Sequence, residues 1–175
     1  MKLFNHFLFA CFAITLSAAQ FIPPVRAKAL DNTEVILPRP GSQQILILIV
    51  GFSRKSGDLC GAWSRKVATS YKADSRIAYF NLPVLQSVPS LFRSMVVSGI
   101  RKGVPAEEHQ RFVPLYSNEP AWKTLVNFSQ PDDPYLVVAT PDGHTVWQAH
   151  GSYSEAIYAD LQSAISTLLK NFPSR

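Results

Sequence analysis

The stretch "ILILIVGF" (45–52) runs directly into "SRKSGDLCGAW" (53–63). The first part is a continuous apolar, β-branched run, which suits a central strand covered on both faces. The polar "SRKSGD" (53–58) reads as a loop, with Ser56 or Asp58 capping the helix that follows. From there Leu59, Trp63, Val67 and Tyr71 recur every four residues and mark one face of a helix. "SRIAYFNLP" (75–83) reads as a second strand. Strand, helix, strand in this order implies a parallel pair joined by a right-handed crossover. Cys60 stands at the expected start of that helix.

Beyond this unit, "PSLFRSMVVSGIRKG" (89–103) predicts a helix, with Pro89 near its start and Gly103 near its end. "PAEEHQ" (105–110) reads as one further turn, "RFVPLY" (111–116) as a short strand and "EPAWKTLVNF" (119–128) as a third helix. "PYLVVA" (134–139) and "TVWQAHG" (145–151) flank "TPDGH" (140–144), a β-hairpin pattern with Asp142-Gly143 as the turn pair. Ser154 is placed to cap a last helix whose Ile157, Leu161, Ala164, Ile165 and Leu168 share one face. Upstream, "AKALDNTEVILP" (27–38) suggests a short edge hairpin. The expected architecture is therefore α/β. A parallel βαβ half and an antiparallel ββα half form one mixed central sheet, with helices on both faces and a helical insert at about 84–130.

The chain has 175 residues, 47% apolar and 17% charged, a globular composition with enough apolar mass for a sizeable core. Residues 1–19 read as an export signal. Lys2 is the early charge, "FLFACFAITL" (7–16) the apolar stretch and "SAA" (17–19) the small residues before the cut. The apolar stretch is shorter than the roughly 20 residues a membrane helix needs, so no stable span is expected after cleavage. The alternative is a short uncleaved anchor. The expected organisation is a signal (1–19), an N-terminal extension (20–42) and one domain (43–175), exported to a periplasmic or extracellular location.

Cleavage would leave Cys60 as the one cysteine and a net charge of +4. One thiol cannot close an internal disulfide, whatever the redox compartment. The charge follows no basic stripe interleaved with aromatics, which argues against nucleic acid as a partner. His109, His144 and His150 stand at no recognised metal-ligand spacing from each other or from Cys60, and no glycine-rich phosphate loop is present. No metal or cofactor is expected.

The order of elements and the placement of Cys60 resemble the thioredoxin-like superfamily over residues 43–170. In thioredoxins a Cys-x-x-Cys opens the helix a few residues after the strand. Laid on "GDLC" (57–60), Gly57 takes the first cysteine's place and Cys60 the second's. In peroxiredoxins the same place holds Thr-x-x-Cys with a Pro four residues before the Thr. Here Gly57 and Ser53 stand at those positions. The resemblance also implies a cis-proline before the third core strand, facing the active cysteine; "DDPYLVV" (132–138) puts Pro134 there. The insert and hairpin are similar to thioredoxin-fold assembly factors of the mitochondrial ATP synthase. Arg101, Lys102, Pro105, His109, Gly143 and Trp147 match that family's pattern. This implies a protein-facing surface at Arg101, Lys102, Pro105 and His109.

Two functions follow. The first is an exported thioredoxin-fold protein without a dithiol, which binds a protein client or assembly partner. The second is a one-cysteine oxidoreductase or peroxidase. There a Cys60 thiolate, favoured by the helix start and by Arg65 and Lys66, is oxidised to a sulfenic acid and resolved by an external thiol. The plainer use of Cys60 is as a small core residue.

Overall fold

The computed structural model describes residues 20–171. The predicted signal, Cys11 included, lies outside them. A hairpin of β1 (Val25–Lys28) and β2 (Glu34–Leu37) comes first, followed by β3 (Ile45–Gly51), α1 (Arg54–Tyr71) and β4 (Ile77–Pro83). Next come α2 (Ser90–Gly103), a 3-10 turn (Ala106–Arg111) and α3 (Glu119–Leu125). The chain continues through β5 (Tyr135–Ala139), β6 (Thr145–His150) and α4 (Glu155–Asn171).

The main sheet has the order β4-β3-β5-β6. β3 lies parallel to β4 and antiparallel to β5, and β5 pairs antiparallel with β6. Every residue of β3 is buried, as its unbroken apolar run requires. Alternate side chains divide between two cores. Ile45, Ile47 and Ile49 face Trp63 and Val67 of α1 and Leu161 and Ile165 of α4. Leu46, Leu48 and Val50 face the β1–β2 hairpin and Trp122 and Leu125 of α3. Each such side chain, fully buried, contributes about 1.5–3 kcal/mol. The mixed α/β sandwich expected from the sequence is the observed architecture.

Three details differ from expectation. The segment 53–58 is the first turn of α1 rather than a loop: Ser53 has extended backbone (φ −137°) and caps the helix. Its polarity is that of an exposed helix start. The segment 111–116 extends the sheet through single parallel bridges, Asn81–Phe112 and Val84–Leu115, rather than as a regular strand. Val113 and Leu115 donate to the Asn81 and Pro83 carbonyls, but Pro83 has no N–H to return to the Val113 carbonyl, which interrupts the ladder. α3 ends at Leu125, three residues early, where Asn127 takes a left-handed φ of 49°.

Candidate functional site

The site is the start of α1 at the C-terminal end of β3. The Ser53 hydroxyl accepts from the Ser56 amide at 3.0 Å. The Ser56 hydroxyl accepts from the amides of Ser53 (2.9 Å) and Phe52 (3.0 Å) and donates to the Ser53 carbonyl (2.9 Å). This reciprocal capping box satisfies amides that a helix start otherwise leaves without partners. Ser56 is fully buried. The resemblance places a Cys-x-x-Cys where the helix opens. That position is held by Ser53-Arg54-Lys55-Ser56, not by Gly57-Asp58-Leu59-Cys60. The sequence pointed to Ser56 or Asp58 as the cap; the N-cap is Ser53, which sequence reasoning missed, and Ser56 is its partner three residues on.

Above the helix start sits a loop ahead of β5. The Ser53 hydroxyl donates to Asp132 at 2.9 Å, and the Lys55 ammonium meets the other oxygen at 3.3 Å. The Ser53 bond, then the Lys55 bond, hold the Asp132 carboxyl below its ordinary range. The adjacent Asp133 contacts His150 Nδ1 at 2.7 Å. Phe52, Phe128 and Tyr135 pack edge-on or stacked beneath, and the Lys123 ammonium lies 4.7 Å from the Phe128 ring centre. The Tyr135 hydroxyl accepts from the amides of Ser129 and Gln130 and so pins the loop. A carboxylate and an aromatic strap therefore close this end of the sheet. Among the described residues neither serine hydroxyl contacts an imidazole: Ser53 donates to the Asp132 carboxylate and Ser56 to a main-chain carbonyl.

Cys60 sits two turns into α1, beyond the reach of the helix-start charge, which fades within the first turn. It is buried, 7% exposed, in the core with Trp63 and Val67. Burial pushes its thiol up to about 12. Its sulfur lies against Gly51: a Cβ there would stand 3.3 Å from Sγ and 3.1 Å from the Ser56 hydroxyl oxygen. The cations expected to activate it point elsewhere. Lys66 reaches Glu155 at 3.8 Å and lies 4.7 Å from the Tyr158 ring centre. Arg65 is exposed and folds back along α1 toward Gly61. Against the expected activation of Cys60, burial raises the thiol, and helix start and cations lie away from it.

Pro134 does share an end of the sheet with Cys60. The β3–β5 register pairs Val50 with Tyr135, which sets Pro134 beside Gly51. It is not the expected cis-proline, however. Among the described residues the cis bond is Leu37–Pro38. The bond before Pro134 has the trans form that X-Pro bonds ordinarily prefer. Its carbonyl accepts from the Gly151 amide at 3.0 Å, which binds the loop to the end of β6.

The second predicted group converges at the other end of the insert. An Arg101 guanidinium nitrogen donates to the Leu30 carbonyl at 2.6 Å. His109 Nε2 lies 3.2 Å from the Arg101 carbonyl and 3.0 Å from the Val104 carbonyl, closing the end of α2. Pro105 is the N-cap of the 3-10 turn. Lys102 is exposed and forms no ion pair among the described residues. Arg101, Pro105 and His109 thus clamp α2 to the β1–β2 hairpin. Among the described residues no cluster of three or more His, Cys, Asp or Glu is poised for a metal. No described helix is long and apolar enough to cross a membrane.

The chain has the thioredoxin-like fold, and similar solved structures carry the same plan. A conserved protein from Geobacillus kaustophilus superposes with a TM-score of 0.62 at 14% identity, covering 90% of this chain and 85% of that one. DsbE, a thiol:disulfide interchange protein from Chlorobium tepidum, gives 0.57 at 15% identity over 86% and 96%. The exposed lipoprotein thioredoxin Etrx1 of Streptococcus pneumoniae gives 0.56 at 11% over 82% and 99%. No protein-family model matches the chain, and no curated protein matches its sequence.

Proposed function

We propose that this chain is an exported thioredoxin-fold protein that binds a protein partner and assists its assembly or folding, without thiol–disulfide exchange. One observation carries the reading. The position from which a thioredoxin-like helix presents its thiols holds two serines, bonded to each other and covered by Asp132. A hydroxyl cannot cycle through a disulfide. The cysteine that remains is buried, with its thiol pushed up to about 12, which leaves almost no thiolate at neutral pH. Export is supported by the signal-like residues 1–19 and by structural likeness to an exposed lipoprotein. Assembly is supported by the likeness of the Arg101–His109 pattern to the assembly factors.

The test is complementation of a deletion strain, scored on that strain's envelope phenotype. Cys60→Ala, shown folded by circular dichroism, complements as well as the parent. In parallel the purified protein neither reduces insulin nor consumes hydrogen peroxide. Loss of complementation by a folded Cys60→Ala protein overturns the reading and restores the one-cysteine oxidoreductase.

A further inference from the structure

We propose that the outer edge of β1 is a docking site for an extended, acidic segment of the partner, which adds to it as a strand. The inference rests on the reading of this chain as a partner-binding protein and says where the partner sits. β1 pairs with β2 alone. At the hairpin tip the Ala29 amide donates to the Thr33 carbonyl at 2.9 Å, and Asn32, at φ 71°, completes a bulged turn. That bond sets the phase of the antiparallel ladder. Val25, Ala27 and Ala29 turn their main-chain groups toward β2. Arg26 and Lys28, opposite Ile36 and Glu34, turn theirs away. Outside the β1–β2 ladder, no hydrogen-bond partner is found for the N–H or C=O of Arg26 or Lys28 among the described residues. Two donors and two acceptors therefore alternate along an unpaired edge.

That edge borders a groove of about 490 Å³. Residues 24–30 form one wall in an unbroken run, and Val97 and Arg101 of α2 with residues 114–118 form the other. Leu115 and Trp122 supply buried apolar surface between them. The charged residues of the lining are Arg26, Lys28 and Arg101; it has no Asp or Glu. Arg26 is drawn toward Glu34 at 3.2 Å, but both side chains are more than half exposed and the pair is weak.

These features select one class of occupant. A strand offers N–H and C=O groups at the same repeat as the edge, and strand addition takes its affinity from main-chain bonds and its specificity from alternate side chains. A nucleic-acid backbone offers phosphate acceptors but no donors for the two carbonyls. A bilayer surface is too flat to enter the groove. A second copy pairing β1 to β1 would set like charges against each other. In an added strand one face carries apolar side chains toward Leu115 and Trp122. The other carries carboxylates beside Arg26 and Lys28.

The probe is an end-blocked octapeptide of alternating Glu and Val, read by amide hydrogen exchange and fluorescence anisotropy. The Arg26 and Lys28 amides exchange freely in the protein alone and slow at least tenfold with peptide. The same peptide N-methylated at alternate residues binds at least tenfold more weakly, and a Lys-Val octapeptide does not bind. Lys28→Pro removes one outward N–H without removing a β1–β2 bond. It weakens binding at least fivefold and leaves far-UV dichroism unchanged. Arg26→Gln with Lys28→Gln, which keeps the main chain, weakens the Glu-Val peptide but not an uncharged Thr-Val one. Four results overturn the proposal: slow exchange of both amides in the free protein; no protection at millimolar peptide; equal binding of the Lys-Val peptide; or the same protection from anionic vesicles or from higher protein concentration. If β1 stays unprotected while Cys60→Ala still complements, the edge is excluded and partner binding stands. If Cys60→Ala fails while the protection is seen, the redox-free reading falls and the edge remains.

Discussion

Replacing Ser56 by Ala removes one oxygen on which the start of α1 depends. The half-buried Phe52 and Ser53 amides lose their acceptor beside the fully buried Ser56 side chain, and the Ser53 carbonyl loses a donor. A buried group left without its partner costs about 1–3 kcal/mol. Two amides, partly relieved by a shift of the turn, give a loss of about 2–4 kcal/mol. The partner variant Ser53→Ala removes an N-cap and its bond to Asp132, a loss of about 1 kcal/mol. The two oxygens bond through the same turn, so the double variant loses less than the sum. Urea unfolding followed by far-UV dichroism measures all three, and a thermal scan shows Ser56→Ala lowered by about 6–12 °C on the usual scaling for a domain of this size. A Ser56→Ala loss below about 0.5 kcal/mol, the range of a neutral surface change, refutes this account of the helix start.

Three further outcomes follow from the same corner of the fold. The Cys60 thiol sits at about 12 in the folded protein, against about 8.5 in an unfolded chain. Between those values the unfolded state has lost the proton and the folded state keeps it. Stability therefore falls as pH rises above about 8.5, by about 1.4 kcal/mol per unit attributable to this group. Urea midpoints at pH 8, 9 and 10 show this slope in the parent and a shallower one in Cys60→Ala; equal slopes disprove it. Gly51→Ala puts a Cβ 3.1 Å from the Ser56 oxygen and 3.3 Å from the Cys60 sulfur, and overpacking of this kind costs about 1–3 kcal/mol. Adding Cys60→Ala recovers part of that loss in a denaturation cycle. Finally, Ser53→Cys with Ser56→Cys creates a dithiol where the helix opens. The pair oxidises to a disulfide, read by thiol counting, whereas Gly57→Cys with the resident Cys60 does not.

The sheet was readable from the sequence because its signals are strong and local. β3 is apolar throughout, and the Asp142-Gly143 turn and the Ser154 cap fall where they were expected. The helix start was not, because serine, arginine, lysine, glycine and aspartate together look like a loop. Only the pairing of Ser53 with Ser56 makes them a cap, and such pairing is a property of backbone geometry. Cys60 misled for a related reason. Its proximity in sequence to Arg65 and Lys66 says nothing of direction, and on a helix both project away from the face that Cys60 shares with Val67. Arg101 and His109 were recognised as a group, yet their partners are carbonyls, which a side-chain pattern does not reveal. The unpaired edge of β1 is legible only once the ladder's phase is known.

The helix α2 buries none of its 14 residues. Leu91 is 80% and Met95 65% exposed on its outer side. It is held at its ends, by Arg93 on the Gln86 and Val88 carbonyls and by Arg101 on the Leu30 carbonyl. Its inner face of Arg93, Val96, Val97 and Ile100 is only half-buried, and a 14-residue helix with so little packed surface is marginal in water. The segment therefore unzips at a small cost while the sheet beneath stays intact. Val97 and Arg101 both lie on this one helix, so the wall of the groove they form is only as firm as its two latches.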